Sequence, residues 1–154
     1  MKLPSFYALL LAAGLAVPAL AQTLPTIGST LTTEEIERLA ISQPISVGEA
    51  QYRLLNTKEE SPGQPDSLLV NEQGLVGQSH HEVTITGIST EETRPKLSAW
   101  ANSALEISYF EQMKMTALRF ARFTDAAKAR DELEHLFPQA KVSLPVRFSL
   151  RNRR

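Results

Sequence analysis

From His81 to the end of the chain the apolar residues change period in a fixed order, and that order leaves few folds open. Glu82 to Ile88 alternates, with Val83 and Ile85 on one face and Thr84 and Thr86 on the other, which predicts a strand. A helix should follow, with Thr93 as its cap, Pro95 in its first turn, and Leu97, Trp100, Ala101 and Ala104 at helical spacing. Leu105 to Phe110 alternates again, with Leu105, Ile107 and Tyr109 sharing a face. Glu111 to Met115 turns the chain, and Thr116 to Phe123 reads as a third strand. Thr124 then caps a second helix with the stripe Ala126, Ala129, Leu133, Leu136 and Phe137, ended by Pro138. The last alternation runs through Ala140, Val142, Leu144, Val146, Phe148 and Leu150 and contains Pro145. Proline cannot donate to a ladder, so this strand lies at an edge or leaves the sheet there.

Strand, helix, strand, strand, helix, strand amounts to two βαβ units joined by a hairpin. The pattern predicts an α+β fold over residues 80–148, a ferredoxin-like βαββαβ sandwich with both helices on one face of an antiparallel sheet. The other face would stay open. Phe110 and Phe123, opposite their strands' main apolar rows, are expected on it, where exposed aromatics mark a docking surface. Residues 22–79 read as an N-terminal extension. It comprises an extended leader from Gln22 to Thr33 and a short helix with a Thr32/Glu35 capping box and the stripe Ile36, Leu39, Ala40. A strand from Gln51 to Asn56, a loop from Thr57 to Ser67 and a small hairpin from Leu68 to Gly77 complete it.

The first 21 residues read as a secretory signal peptide. Lys2 gives the positive start, Phe6 to Val17 the apolar run, and Ala19-Leu20-Ala21 the small-residue cleavage site. The expected compartment is the periplasm or the outside of the cell, and removal leaves 133 of 154 residues. The chain has no cysteine, which removes disulfides, thiol catalysis and thiolate metal sites. Stability must then come from the core or from a partner. Charge is divided unevenly. Gln22 to Glu134 holds 10 Lys and Arg against 17 Asp and Glu, a net of −7. His135 to Arg154 holds no acid, and its five basic residues are Lys141, Arg147, Arg151, Arg153 and Arg154. An acidic body carries a basic tail, residues 149–154.

No residue pattern points to catalysis. His80 and His81 are adjacent at the start of a strand, so their side chains point to opposite faces and do not readily share one ion. There is no Gly-x-Ser-x-Gly elbow, His-Glu-x-x-His helix or phosphate-cradling glycine loop. The pairs Glu34-Glu35, Glu59-Glu60 and Glu91-Glu92 are helix starts or loop charges. The strands lack the stacking aromatics of an RNA-binding sheet. The reading is of a non-enzyme with no catalytic residue, cofactor or metal, no nucleic-acid partner and no stable membrane insertion.

The segment from His81 to Arg154 resembles the propeptide domain of subtilisin-like serine proteases, the intramolecular chaperone and inhibitor family. The likeness lies in the order of elements, the stretch Thr116-Ala-Leu-Arg-Phe-Ala-Arg-Phe123, the helix after it and the strand Val142 to Phe148. The resemblance implies that the open sheet face packs on the protease and that the C-terminal tail lies in its active-site cleft like a product. No protease follows Arg154, so the expectation is a free-standing external chaperone of a secreted kexin-like bacterial subtilase. The residues implied in the cleft are Leu150, Arg151, Asn152, Arg153 and Arg154. Arg-x-Arg-Arg is the pattern such enzymes prefer, with Arg154 in the first specificity pocket, Arg153 in the second and Arg151 in the fourth. Residues 22–79 have no counterpart in ordinary propeptides.

A different class of function stays open on the residues alone: a periplasmic adaptor or envelope-binding module whose basic tail touches anionic lipid or polysaccharide. The leader itself is directly testable. N-terminal sequencing of the periplasmic fraction should begin at Gln22; a chain still carrying Met1 in the membrane fraction would refute the cleavage site.

Overall fold

The computed structural model describes residues 25–55 and 66–149, and the signal-peptide reading, part of the Thr57–Ser67 loop and the tail from Leu150 onward lie outside the described residues. The first half holds more sheet than its pattern indicates. After helix α1 (Thr33–Leu39) come β1 (Ile45–Val47), β2 (Ala50–Leu54), β3 (Ser67–Asn71) and β4 (Val76–Ser79). They form one antiparallel sheet in sequence order, so the expected helix, strand and hairpin are present, and β1, which the pattern did not mark, joins the strands into a four-stranded meander. The expected α1 cap is present: Thr32 Oγ1 accepts from Glu35 N–H at 3.3 Å, and Glu35 Oε2 accepts from Thr32 N–H at 2.8 Å. Those bonds from Thr32 hold the Glu35 carboxyl below its ordinary range.

This sheet is covered on both faces. Val70 and Val76 pack with Leu39 and Leu55 in a cluster that Ile36 of α1 joins. On the opposite face Leu69 belongs to the main core, with Ile45, Val47, Tyr52 and Leu54 packed against it. Strand β3 therefore buries successive residues, Leu69 and Val70, on two sides. Gly74 turns β3 into β4 with a positive φ of 79°, and a Cβ there would stand 2.5 Å from the Leu31 carbonyl oxygen.

The second half contains β5 (Glu82–Thr86), α2 (Thr90–Lys96), β6 (Glu106–Phe110), β7 (Met115–Arg119), α3 (Phe123–Leu136) and β8 (Lys141–Ser143). Its sheet has the order β6-β7-β5-β8 with every neighbouring pair antiparallel. Val83, Ile85, Leu118 and Val142 share one face and form a single cluster with Leu97, Ala126, Ala129, Leu133 and Phe137. The chain is thus a mixed α+β protein with two antiparallel sheets and, among the described residues, three α-helices. Helix α3 packs on β5 and β8 of the second sheet and on β1 of the first. The layers run α1, first sheet, α3, second sheet.

Four local expectations are corrected. Helix α2 starts four residues earlier than expected. Ser89 is its N-cap, accepting from Glu92 N–H, whereas Thr93 is fully buried inside the helix and bonds the Thr90 carbonyl and Thr116 Oγ1. Pro95, with no N–H to give, then falls near the helix end, and the chain continues as a short 3-10 turn, Ser98–Trp100. Trp100 is half-buried, edge-on to Phe120, and Ala101 is exposed. Leu105, expected to share the buried face of β6, is 61% exposed, and Leu136 is also exposed. Helix α3 begins at Phe123 with Arg122 as N-cap, not at a Thr124 cap, and Arg122 binds the Asp125 carboxylate through two N–H groups at 2.8 and 3.0 Å.

Phe123 is the correction with the largest consequence. β7 ends at Arg119, so Phe123 is the first residue of α3 rather than the end of a strand, and it is 1% exposed. Its ring meets Tyr52 of the first sheet edge-on, centroids 6.4 Å apart, and His81 at 6.3 Å. Burial beside it raises the Tyr52 hydroxyl above its usual pKa. Phe123→Ala should cost about 3–5 kcal/mol and collapse the thermal transition, whereas Trp100→Ala, half-buried, should cost less. Circular-dichroism melts of the two variants check the order; a Phe123 variant that melts like the parent would refute this packing.

Candidate functional site

The face of the second sheet turned away from α2 and α3 follows from register. Thr84 pairs with Ala117 and Ser143, and Ala117 pairs with Ser108, giving a row of small residues across all four strands. A parallel row runs Lys141, Thr86, Met115, Phe110, and a third runs Glu82, Arg119, Glu106. The core residues of α3 cluster instead with Val83, Ile85, Leu118 and Val142 of the opposite face, and Thr93 of α2 bonds Thr116 there. The middle of the face turned away is level because no side chain in it exceeds threonine, which suits close approach by another surface. Its ends differ in chemistry.

At one end Phe110 is 39% exposed and Met115 lies beside it, with Met113 of the adjoining turn 61% exposed. The β6–β7 turn is closed by Lys114 in the left-handed region, φ 46°. At the other end Arg119 bridges Glu82 at 3.5 Å and Glu106 at 3.8 Å, exposed contacts that set charge order more than stability. The face thus offers an apolar corner, a level polar centre and a zwitterionic row. Of the two aromatics expected here, Phe110 lies on this face and Phe123 does not.

The adjacent histidines part company, as a strand start requires. The His80 Nδ1 meets the Asp66 carboxylate, which also accepts from Gln78 Nε2 at 3.1 Å. His81 is buried, with φ 53°; its Nε2 lies 2.8 Å from Ser67 Oγ and its Nδ1 3.2 Å from the Ala121 carbonyl oxygen. It joins the two sheets. Among the described residues no three ligand-type side chains stand where they could hold one metal ion, and no helix is long and apolar enough to cross a membrane. Every buried side-chain nitrogen or oxygen among the described residues has a partner, so no orphaned polar group points to a bound ligand.

The last expected site is the tail, and Leu150, Arg151, Asn152, Arg153 and Arg154 lie outside the described residues. Their root is described. Strand β8 ends at Ser143, Pro145 leaves the sheet, and Arg147 forms an antiparallel bridge with Gln78 of β4. The alternation through Phe148 therefore serves two sheets in succession rather than one long strand. Of Gln78 and Gly77, which receive this segment, the sequence pattern marks Gly77 only as the end of a hairpin and Gln78 not at all; the signal for the departure from the sheet is Pro145.

No family model, curated protein or solved structure matches the chain. The open face is testable by itself. Phe110→Glu should shift the melting temperature by no more than a few degrees, because the side chain is exposed and its loss leaves no cavity. A large loss of stability in the same melt would place Phe110 in the core instead.

Proposed function

We propose that this protein is an exported, non-enzymatic chaperone and inhibitor of a secreted subtilisin/kexin-like serine protease. The observation that carries the reading is the second sheet: order β6-β7-β5-β8, both following helices on one face, and a level small-residue face left open. We read β5-α2-β6-β7-α3-β8 as the ferredoxin-like sandwich that the resemblance to subtilase propeptides implies. The open face docks on the protease, with Phe110 and Met115 as its apolar corner, and the basic residues after Ser149 enter the active-site cleft.

The chemistry of that role is consistent. Subtilases form non-local strand pairings slowly, and a preformed sheet that docks early lowers the barrier. Binding the native protease and not its unfolded chain stabilises it by mass action. In the cleft Arg154, Arg153 and Arg151 would meet carboxylates through charge-assisted, bidentate bonds that lysine does not reproduce. Export rests on the N-terminal signal pattern, and the proposed place of action is the periplasm or the medium.

The test is co-expression with a kexin-like bacterial subtilase, pull-down, and an inhibition assay on an Arg-Arg peptide substrate. Deleting Asn152 to Arg154 should abolish inhibition while leaving the fold intact and the binding only partly weakened. Arg154→Lys should be milder than Arg154→Ala, a buried charged contact of this kind being worth about 2–5 kcal/mol. Graded loss with each arginine, a steep salt dependence and equivalence of Lys and Arg would instead support binding to an anionic lipid or polysaccharide surface. A tail-deleted protein that inhibits as well as the parent overturns the cleft reading.

A further inference from the structure

The edge of β4 is closed by two segments that are remote in sequence. On one half the leader pairs with it: Gly28 N–H donates to the Val76 carbonyl at 2.8 Å, Val76 N–H to Ser29 at 2.9 Å, and Leu31 N–H to Gly74 at 2.8 Å. On the other half Arg147 and Gln78 exchange both backbone bonds, each 2.8 Å. The side chains flanking Arg147 lie over a glycine: a Cβ on Gly77 would stand 2.6 Å from Val146 Cγ1 and 2.9 Å from Phe148 Cδ1. Val146 also packs against the main core. Leader and C-terminal segment touch, since a Cβ on Gly28 would lie 2.9 Å from the Phe148 carbonyl oxygen.

We infer that the first sheet is a positioning device: β4 seats residues 146–148 and so fixes the point from which the basic tail departs, with Gln78, Gly77 and Arg147 as positioning residues. This rests on the proposed function above and gives residues 25–79 a part in it. The reasoning is one of reach. Arg151 to Arg154 lie within five residues of Ser149, so they extend at most about 18 Å from it. A seated root holds that short span at one place relative to the open face. Unseated, the chain would be tethered only at the end of β8, Ser143, and the number of residues between tether and Arg154 would grow from roughly five to roughly 11. Effective concentration falls as about the −3/2 power of length, so the tail's local concentration at the cleft should drop about threefold. Loss of the fixed direction adds to that.

Arg147→Pro is the first test, because it removes the N–H that donates to Gln78 and touches neither the main core nor the open face. It should weaken inhibition of a kexin-like subtilase at least threefold while leaving affinity for the same enzyme unchanged in a form lacking Asn152 to Arg154. A merely structural role would weaken both backgrounds alike, and that outcome, or unchanged inhibition in the full chain, overturns the inference. Gln78→Cys with Arg147→Cys is the second test, free of ambiguity in a chain without cysteine. Antiparallel partners stand within disulfide range, and the oxidised form should inhibit like the parent; loss of inhibition on oxidation would mean the segment must leave β4. Hydrogen exchange on the free protein reads the seat without a protease. Gln78 and Arg147 amides should be protected together, and unprotected amides overturn the seat. If deleting the tail itself leaves inhibition intact, the proposed function fails; if that deletion abolishes inhibition and Arg147→Pro does not weaken it, the positioning role alone fails.

Discussion

The structure depends on one helix being buried on two sides. Ala126, Ala129 and Leu133 of α3, with Phe137 at its C-cap, share the core with β5 and β8, while Phe123 meets Tyr52 of the first sheet. Three buried alanines, Ala126, Ala127 and Ala129, keep the helix thin, so two sheets approach one cylinder closely. Arg130 closes the far end, its guanidinium 3.3 Å from where a Gly48 Cβ would stand and bonded to Asp131 and Glu134. Where the chain passes from one sheet to the other, His81 takes a positive φ and satisfies both ring nitrogens, one on each side of the joint. A side chain with two polar atoms suits that junction better than an apolar one, since Ser67 and the Ala121 carbonyl would otherwise need other partners.

What the sequence disclosed depended on how many residues each period had in which to repeat. The strand with Val83 and Ile85, the α3 stripe of Ala126, Ala129, Leu133 and Phe137, and the Thr32/Glu35 box were all legible because each repeats or pairs within a few residues. Strand β1 is three residues long, too short for alternation to register, and its existence is decided by pairing with β2 and burial on α3. Helix α2 was expected to start at Thr93, but its cap is Ser89. Glu92 three residues after Ser89 favours that cap, and a pocket beside Thr116 absorbs Thr93. Phe123 was misplaced for a physical reason. The boundary runs Phe120-Ala121-Arg122-Phe123: buried aromatics stand on both sides of it, and its N-cap is Arg122 rather than one of the short polar residues that usually mark a helix start, whereas Thr124 just beyond is of that kind.

The candidate site was legible in unequal parts. Phe110 stood out because it is an aromatic out of phase with Ile107 and Tyr109 in a clear strand. The level centre made of Ser108, Ala117, Thr84 and Ser143 did not, because small residues are a signal only once register sets them side by side. Pro145 correctly marked where β8 leaves its sheet, but nothing local could name the destination. Gln78 lies 69 positions before its partner Arg147, and contacts at that separation leave no periodic trace.

The shared edge of β4 has a consequence in time. A chain delivered N-terminus first can complete the first sheet, and pair the leader along half of β4, once Ser79 has emerged. The other half of that edge keeps its backbone N–H and C=O groups unpaired until Arg147 arrives at the far end of the second sheet. During that interval the molecule presents a short, ready-made template for another strand, of its own kind or a stranger's. Closure of that edge therefore needs the C-terminal part of the chain, since Arg147 lies beyond both α3 and β8 in sequence.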